Sequence, residues 1–211
     1  MPIRATLWDF GGVILESPFA AFAAYEQTAG LPSGFLRGLN ATKPDTNAWA
    51  RMERSEVGLD EFAELFEAEA AAAGHEIDAR AVLALLSGAV RPDMVEAVRR
   101  CADRIPTGMV TNNFVGFVES RRTDIDEVLG LFHVVIESSK VGVRKPDPRI
   151  YELACEALGA EPAETVFLDD LGINLKPARA MGMHTIKVID PVMALKDLEA
   201  AVGFPVGPVP G

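Results

Sequence analysis

The sequence predicts an α/β protein, a doubly wound, Rossmann-like parallel sheet with a small all-helical cap inserted after its first strand. Two observations carry the prediction. Short apolar runs, each closed by a polar turn, alternate with helix-like stretches, the pattern of parallel strands covered on both faces. The region 16–91 breaks that alternation and carries Ala, Glu, Phe and Leu at helical spacing instead. The 211 residues then divide into a core of 1–15 and 92–211 and a cap of 16–91.

The candidate strands are Ala5 to Trp8, Thr107 to Val110, Phe132 to Ile136, Thr165 to Leu168 and His184 to Val188. Within the insert, Phe62, Leu65 and Phe66 share one side of a helix whose other positions include Glu61, Glu64 and Glu67. Ala70 to Ala73 continues that helix and Gly74 ends it. Asp147 and Pro148 read as the N-cap and first residue of a helix running to Leu158. Phe204 to Gly211, rich in Pro and Gly, reads as a loose tail.

Composition narrows the function. Hydrophobic residues make up 49% and charged residues 24%, the balance of a folded globular chain. A net charge of -11 opposes nucleic acid and anionic membranes, which are held mainly by Lys and Arg, so an anionic ligand has to be small and locally bound. The apolar start, Ile3 to Leu15, is interrupted by Asp9 and is expected to be neither a leader nor a membrane span. With Cys101 and Cys155 as the only cysteines, read as buried thiols, a cytoplasmic setting is expected, as a monomer or homodimer.

Four polar clusters could carry chemistry. Asp9 stands where the first strand meets Gly11 and Gly12, a place where a side chain faces a ligand and backbone approaches it closely. Thr111-Asn112-Asn113 follows the second strand in the same way. Lys145 lies in the loop before the Asp147 helix. Asp169-Asp170 ends a strand, with Asn174 shortly after it; adjacent carboxylates repel unless a cation or a helix N-terminus answers them. Each cluster alone also reads as a turn, a solvated lysine or a helix cap. Their order, and the placement of three of them directly after strands, makes one constellation. His75, His133 and His184 lack metal-ligand spacing and read as structural or solvated, and Trp49 with the phenylalanines of the insert reads as core.

Taken together, Asp9, Thr111-Asn112, Lys145 and Asp169-Asp170 resemble the four motifs of the haloacid dehalogenase superfamily. Within it, the runs Gly142 to Pro148 and Phe167 to Arg179 are similar to the amino-terminal phosphatase domains of soluble epoxide hydrolases. The resemblance implies a hydrolase acting on a small phosphorylated metabolite through an aspartyl-phosphate on Asp9, with Mg2+ as cofactor. It implies Asp9, the carbonyl of Gly11 and Asp170 as metal ligands, with Asp169 and Asn174 supporting the metal's surroundings. Lys145, Thr111 and Asn112 are then the catalytic and substrate-binding groups that neutralise charge on the phosphoryl oxygens. One position departs from the pattern, because Gly11 stands where phosphatases of the superfamily carry an Asp as general acid, which puts about 10²–10⁴ in rate at issue. Two further readings stay open: a phospholigand-binding or regulatory module without turnover, and a dehalogenase in which Asp9 displaces halide.

Overall fold

A computed structural model of the chain describes residues 2–114 and 123–207. Five parallel strands, β1 (Ala5–Trp8), β2 (Thr107–Thr111), β3 (Val134–Glu137), β4 (Thr165–Asp169) and β5 (His184–Lys187), form one sheet in the order β3-β2-β1-β4-β5. Every residue of β1, β2 and β4 is buried, which is why these strands are apolar without alternation. The hydroxyls inside them are satisfied locally: Trp8 Nε1 donates to Thr6 Oγ1 at 2.9 Å, and Thr6 Oγ1 donates to Thr107 Oγ1 at 3.1 Å. The third strand begins at Val134, and Phe132 of the expected run instead packs into the core from the preceding loop.

The segment 16–91 after β1 holds five helices, α1 (Phe19–Thr28), α2 (Phe35–Ala41), α3 (Ala48–Glu53), α4 (Leu59–Ala72) and α5 (Ala79–Ala84). Asn47 and Asp78 start α3 and α5 by accepting hydrogen bonds from the amides of Ala50 and Ala81. The five helices share a hydrophobic cluster of their own, in which Trp49 meets Phe62 edge-on at 4.9 Å and Phe62 stacks on Phe66 at 5.4 Å. Phe114, from the loop after β2, also belongs to that cluster.

The remaining helices are α6 (Pro92–Ala102), α7 (Thr123–Leu129), α8 (Ser138–Val141), α9 (Pro148–Leu158), α10 (Gly172–Ala180) and α11 (Pro191–Val202). Residues of α6 and α11 cover one face of the sheet through Trp8, Val166 and Leu168, while α9 and α10 cover the other through Leu7, Val110 and Phe167. Asp147 caps α9 with Pro148 as its first residue, and both cysteines are buried and free, as their positions in the sequence imply. The expected loose tail is only partly outside the described residues: Val206 is fully buried, and its amide donates to Glu199 Oε1 at 2.9 Å, tying this stretch to α11. Positions 208–211 lie outside them. Among the described residues no helix is long and apolar enough to cross a membrane.

Candidate active site

Because β1 lies between β2 and β4, the loops leaving these three strands converge at one edge of the sheet, where open α/β folds bind ligands. Asp9 follows β1 directly, with extended backbone, and its Oδ1 accepts from the Phe10 amide at 2.7 Å. The chain then turns through Phe10–Ile14, and the two glycines of this turn differ sharply. Gly11 has an ordinary backbone (φ -69, ψ 131), is exposed, and a Cβ there would meet nothing within 4 Å. Gly12 has a φ of +77, and a Cβ there would lie 2.2 Å from Asp170 Oδ2. Only glycine satisfies both the left-handed backbone and the close approach of Asp170. Arg91 secures the turn from α6, its guanidinium donating to the Gly12 carbonyl at 2.9 Å.

Lys145 is the cation of the site and is 1% exposed. Its ammonium pairs with Asp9 Oδ1 at 2.6 Å and with Asp169 Oδ2 at 2.8 Å. Asp169, fully buried, also accepts from Asn174 Nδ2 at 3.0 and 3.1 Å and from the Leu171 amide at 2.8 Å. Asn174 is fixed in turn, since Tyr151 donates its hydroxyl to the Asn174 carbonyl at 2.7 Å. Asp170 is partly exposed, with the Ser17 hydroxyl at the outer limit of hydrogen bonding, 3.5 Å. Thr111, the last residue of β2, is buried beside this cluster of strand ends. The side chain of Asn112 holds Lys145 by its backbone: Oδ1 accepts from the Lys145 amide at 2.8 Å, and Nδ2 donates to the Lys145 carbonyl at 3.1 Å.

The electrostatics of this arrangement are unbalanced. Carboxylate oxygens of Asp9, Asp169 and Asp170 all lie within 4.8 Å of one another. Among the described residues, three carboxylates face one ammonium, an excess of two negative charges, and at this range each like-charge pair costs about 4 kcal/mol at an effective dielectric near 20. The titration behaviour follows. Burial raises the Asp9 carboxyl well above the usual range; Lys145 opposes that shift, while Asp169 and Asp170 add to it. Burial and the neighbouring Asp169 push Asp170 up to about 6. For Lys145, burial works to lower the ammonium, but Asp169 and Asp9 outweigh it and hold it above its ordinary value.

The residues singled out in the sequence, Asp9, Gly11, Thr111, Asn112, Lys145, Asp169, Asp170 and Asn174, thus fall at the strand ends of one sheet edge or bond directly to residues that do. The histidines stand apart: His75 packs edge-on against Phe35 at 4.8 Å, and His133 accepts from the Thr107 amide at 3.2 Å, at the opposite end of β2. Two charged residues that motif reading leaves unassigned join the site from its side. Glu53, at the end of α3, accepts from Arg144 Nε at 2.5 Å and from Asn112 Nδ2 at 3.1 Å. Arg144 stands beside Lys145 in a motif-bearing run, a signal of position but not of role; Glu53 carries no such signal among the many glutamates of its segment.

Residues 3–182 match the model of the haloacid dehalogenase-like hydrolases. Over 96% of its length the chain is 36% identical to acyl-CoA dehydrogenase family member 10 of Mus musculus, and over all of it 32% identical to the bifunctional epoxide hydrolase 2 of the same organism. It spans only 19% and 41% of the lengths of these two relatives. Phosphatases also stand among its homologues. Among solved structures, a family enzyme from Bacteroides thetaiotaomicron in complex with magnesium and inorganic phosphate superposes with a TM-score of 0.60 at 18% identity, covering 88% of this chain and 93% of that one.

Proposed function

The chain belongs to the haloacid dehalogenase-like hydrolases, and from that membership we propose that it is a magnesium-dependent phosphatase of small phosphate esters with Asp9 as its nucleophile. The observation that carries this reading is the charge imbalance at the sheet edge, where Asp9, Asp169 and Asp170 confront one another with Lys145 as their counter-ion. Oxygen donors of this kind, with a net deficit of two positive charges, fit a hard divalent cation, and Asp9, Asp170 and the Gly11 carbonyl are the groups that would hold it. When bound, magnesium supplies charge neutralisation for the carboxylates and for the substrate phosphate.

The residues divide the remaining work. Hydrogen bonds from the Phe10 amide and Lys145 fix the Asp9 carboxylate at the end of β1. An Asp9 oxygen attacks phosphorus, the ester P–O bond breaks with its electron pair leaving on the alcohol oxygen, and an aspartyl-phosphate forms; water then attacks that phosphorus, releasing phosphate and restoring the carboxylate. Lys145, whose ammonium Asp169 and Asp9 hold above its ordinary range in the resting site, offers positive charge as the phosphoryl oxygens develop theirs. Thr111 adds its hydroxyl at the end of β2. Gly11 has no side chain to protonate the departing oxygen, so good leaving groups are favoured. Halide displacement at Asp9 needs no cation and gives the partly buried Asp170 carboxylate no role. The substrate is a small phosphorylated metabolite approached beneath the helices of 16–91, which act as the cap.

A panel of alkyl and aryl phosphate esters, assayed with and without magnesium, tests the reading. Turnover that requires the ion supports it, and hydrolysis that ignores chelation overturns the metal assignment.

A further inference from the structure

The helical segment touches the site's machinery through a small polar cluster that the reaction as described leaves unused. The Glu53 side chain is 15% exposed and that of Arg144 20%. One carboxylate oxygen of Glu53 serves two partners at once, accepting from Arg144 Nε at 2.5 Å and from Asn112 Nδ2 at 3.1 Å. Arg144 also donates to the Pro44 carbonyl at 2.8 Å, and Ser55 donates its hydroxyl to the Ser139 carbonyl at 2.8 Å. These bonds join the stretch from Pro44 to Ser55 to the loop after β2, to α8 and to the loop that follows α8. Lys43 and Ser55, the described non-glycine residues with left-handed backbone (φ 49 and 58), bracket this stretch, so its docked geometry is held against a local preference.

Asn112 is the pivot. An asparagine amide can rotate end for end, and only one orientation presents Oδ1 to the Lys145 amide and Nδ2 to both the Lys145 carbonyl and Glu53. The Lys145 amide and carbonyl favour that orientation, and the Glu53 carboxylate, which only accepts, reinforces it from the helical segment. We propose that Glu53 is a positioning residue for the reaction: from the helical segment it locks Asn112, which fixes the backbone of Lys145 and so sets the ammonium between Asp9 and Asp169. Docking of the helical segment and completion of the phosphoryl site are then one event. Arg144 Nε donates to the same Glu53 oxygen as Asn112 Nδ2, and so holds that oxygen in place for Asn112. This inference rests on the phosphatase reading for its consequence in turnover, and on hydrogen bonding alone for its consequence at Lys145.

The test compares Glu53→Ala, Glu53→Gln and Ser55→Ala in the full chain, with p-nitrophenyl phosphate and magnesium as the kinetic probe and amide exchange at Lys145 as the structural one. Glu53→Ala should lower kcat by about a hundredfold, the cost of a misplaced catalytic group. KM should stay within about threefold and the Lys145 amide should lose protection. Glu53→Gln, whose single carbonyl oxygen can take both bonds, should rescue kcat and protection. Ser55→Ala removes an exposed tether that does not touch Asn112, and should change both far less than Glu53→Ala does. Equal losses in Ser55→Ala and Glu53→Ala, or a change in kcat or protection without the other, overturn the proposal. If Glu53→Ala does not fold, Glu53→Asp takes its place: its carboxylate falls short of Asn112, so it should show the same paired loss, and wild-type behaviour overturns the proposal. If wild type itself shows no turnover with magnesium, the phosphatase reading falls, and protection of the Lys145 amide alone decides the role of Glu53.

Discussion

Placing an aspartate at position 11 is the perturbation for which the structure gives the sharpest expectation. Gly11→Asp puts a carboxyl two residues after the nucleophile, where the backbone is ordinary for any L residue and a Cβ meets nothing within 4 Å. The fold should bear it, because the position is exposed and reduced freedom of the unfolded chain contributes about 0.4–1 kcal/mol. A positioned general acid is worth about 10²–10⁴ in rate, or about 2.7–5.4 kcal/mol of barrier. That gain should go to alkyl phosphates, whose leaving oxygens need a proton, and hardly at all to aryl phosphates. The assay is kcat/KM for a series of esters of graded leaving-group pKa in both proteins. Wild type should show a steep dependence and Gly11→Asp a shallow one. A flat dependence in wild type would mean that another group already donates the proton, and the reasoning from Gly11 would fail. Gly12→Asp is the matched control: at a φ of +77, with Asp170 2.2 Å from its Cβ, it should lose magnesium binding and much of its stability.

The ion cluster yields further expectations. Lys145→Met removes the counter-ion of two buried carboxylates and should cost about 3–5 kcal/mol in denaturant unfolding at neutral pH; a loss below about 1 kcal/mol would contradict the charge balance described for the site. The Asp170 carboxyl, held at about 6 when folded against 3.8 ordinarily, contributes stability that is fully present below the lower value and is lost as pH rises through about 6, up to about 3 kcal/mol. The metal-free protein should therefore gain Tm on going from about pH 8 to about pH 5, while with millimolar magnesium, which requires the carboxylate, the ion's contribution should fade over the same interval. Asp170→Ala should remove the magnesium response and reduce the pH response, and a Tm indifferent to magnesium in wild type would contradict the cation assignment.

The sheet was legible because strands covered on both faces must be largely apolar, as β1, β2 and β4 are apart from their threonines and the terminal Asp169, and because a carboxylate or amide directly after such a strand can only stand at the sheet's edge. Apolar character did not separate strand from packed loop, so Phe132 reads as strand while it serves the core from outside β3. Nor does a glycine pair declare its geometry: Gly11 and Gly12 look alike in sequence, and only the fold shows that one has open space and the other the Asp170 carboxylate against it. Glu53 was beyond sequence reading for a different reason. Its partners Asn112 and Arg144 lie 59 and 91 residues away, and nothing local distinguishes it from the solvated glutamates of α4. Val206 was masked by the flexibility that Pro and Gly suggest, although one buried valine and the Glu199 carboxylate suffice to dock it.

Whether Asp9 carries the phosphoryl group is the question on which the account turns. Mixing the protein with labelled p-nitrophenyl phosphate and magnesium, quenching in acid within a turnover and mapping the label by peptide mass analysis answers it directly, because an acyl phosphate survives acid long enough to be located. The account predicts label on the peptide containing Asp9, dependent on magnesium and absent in Asp9→Asn, which should fold normally. Turnover at an unchanged rate in Asp9→Asn, or label on a peptide lacking Asp9, would contradict it.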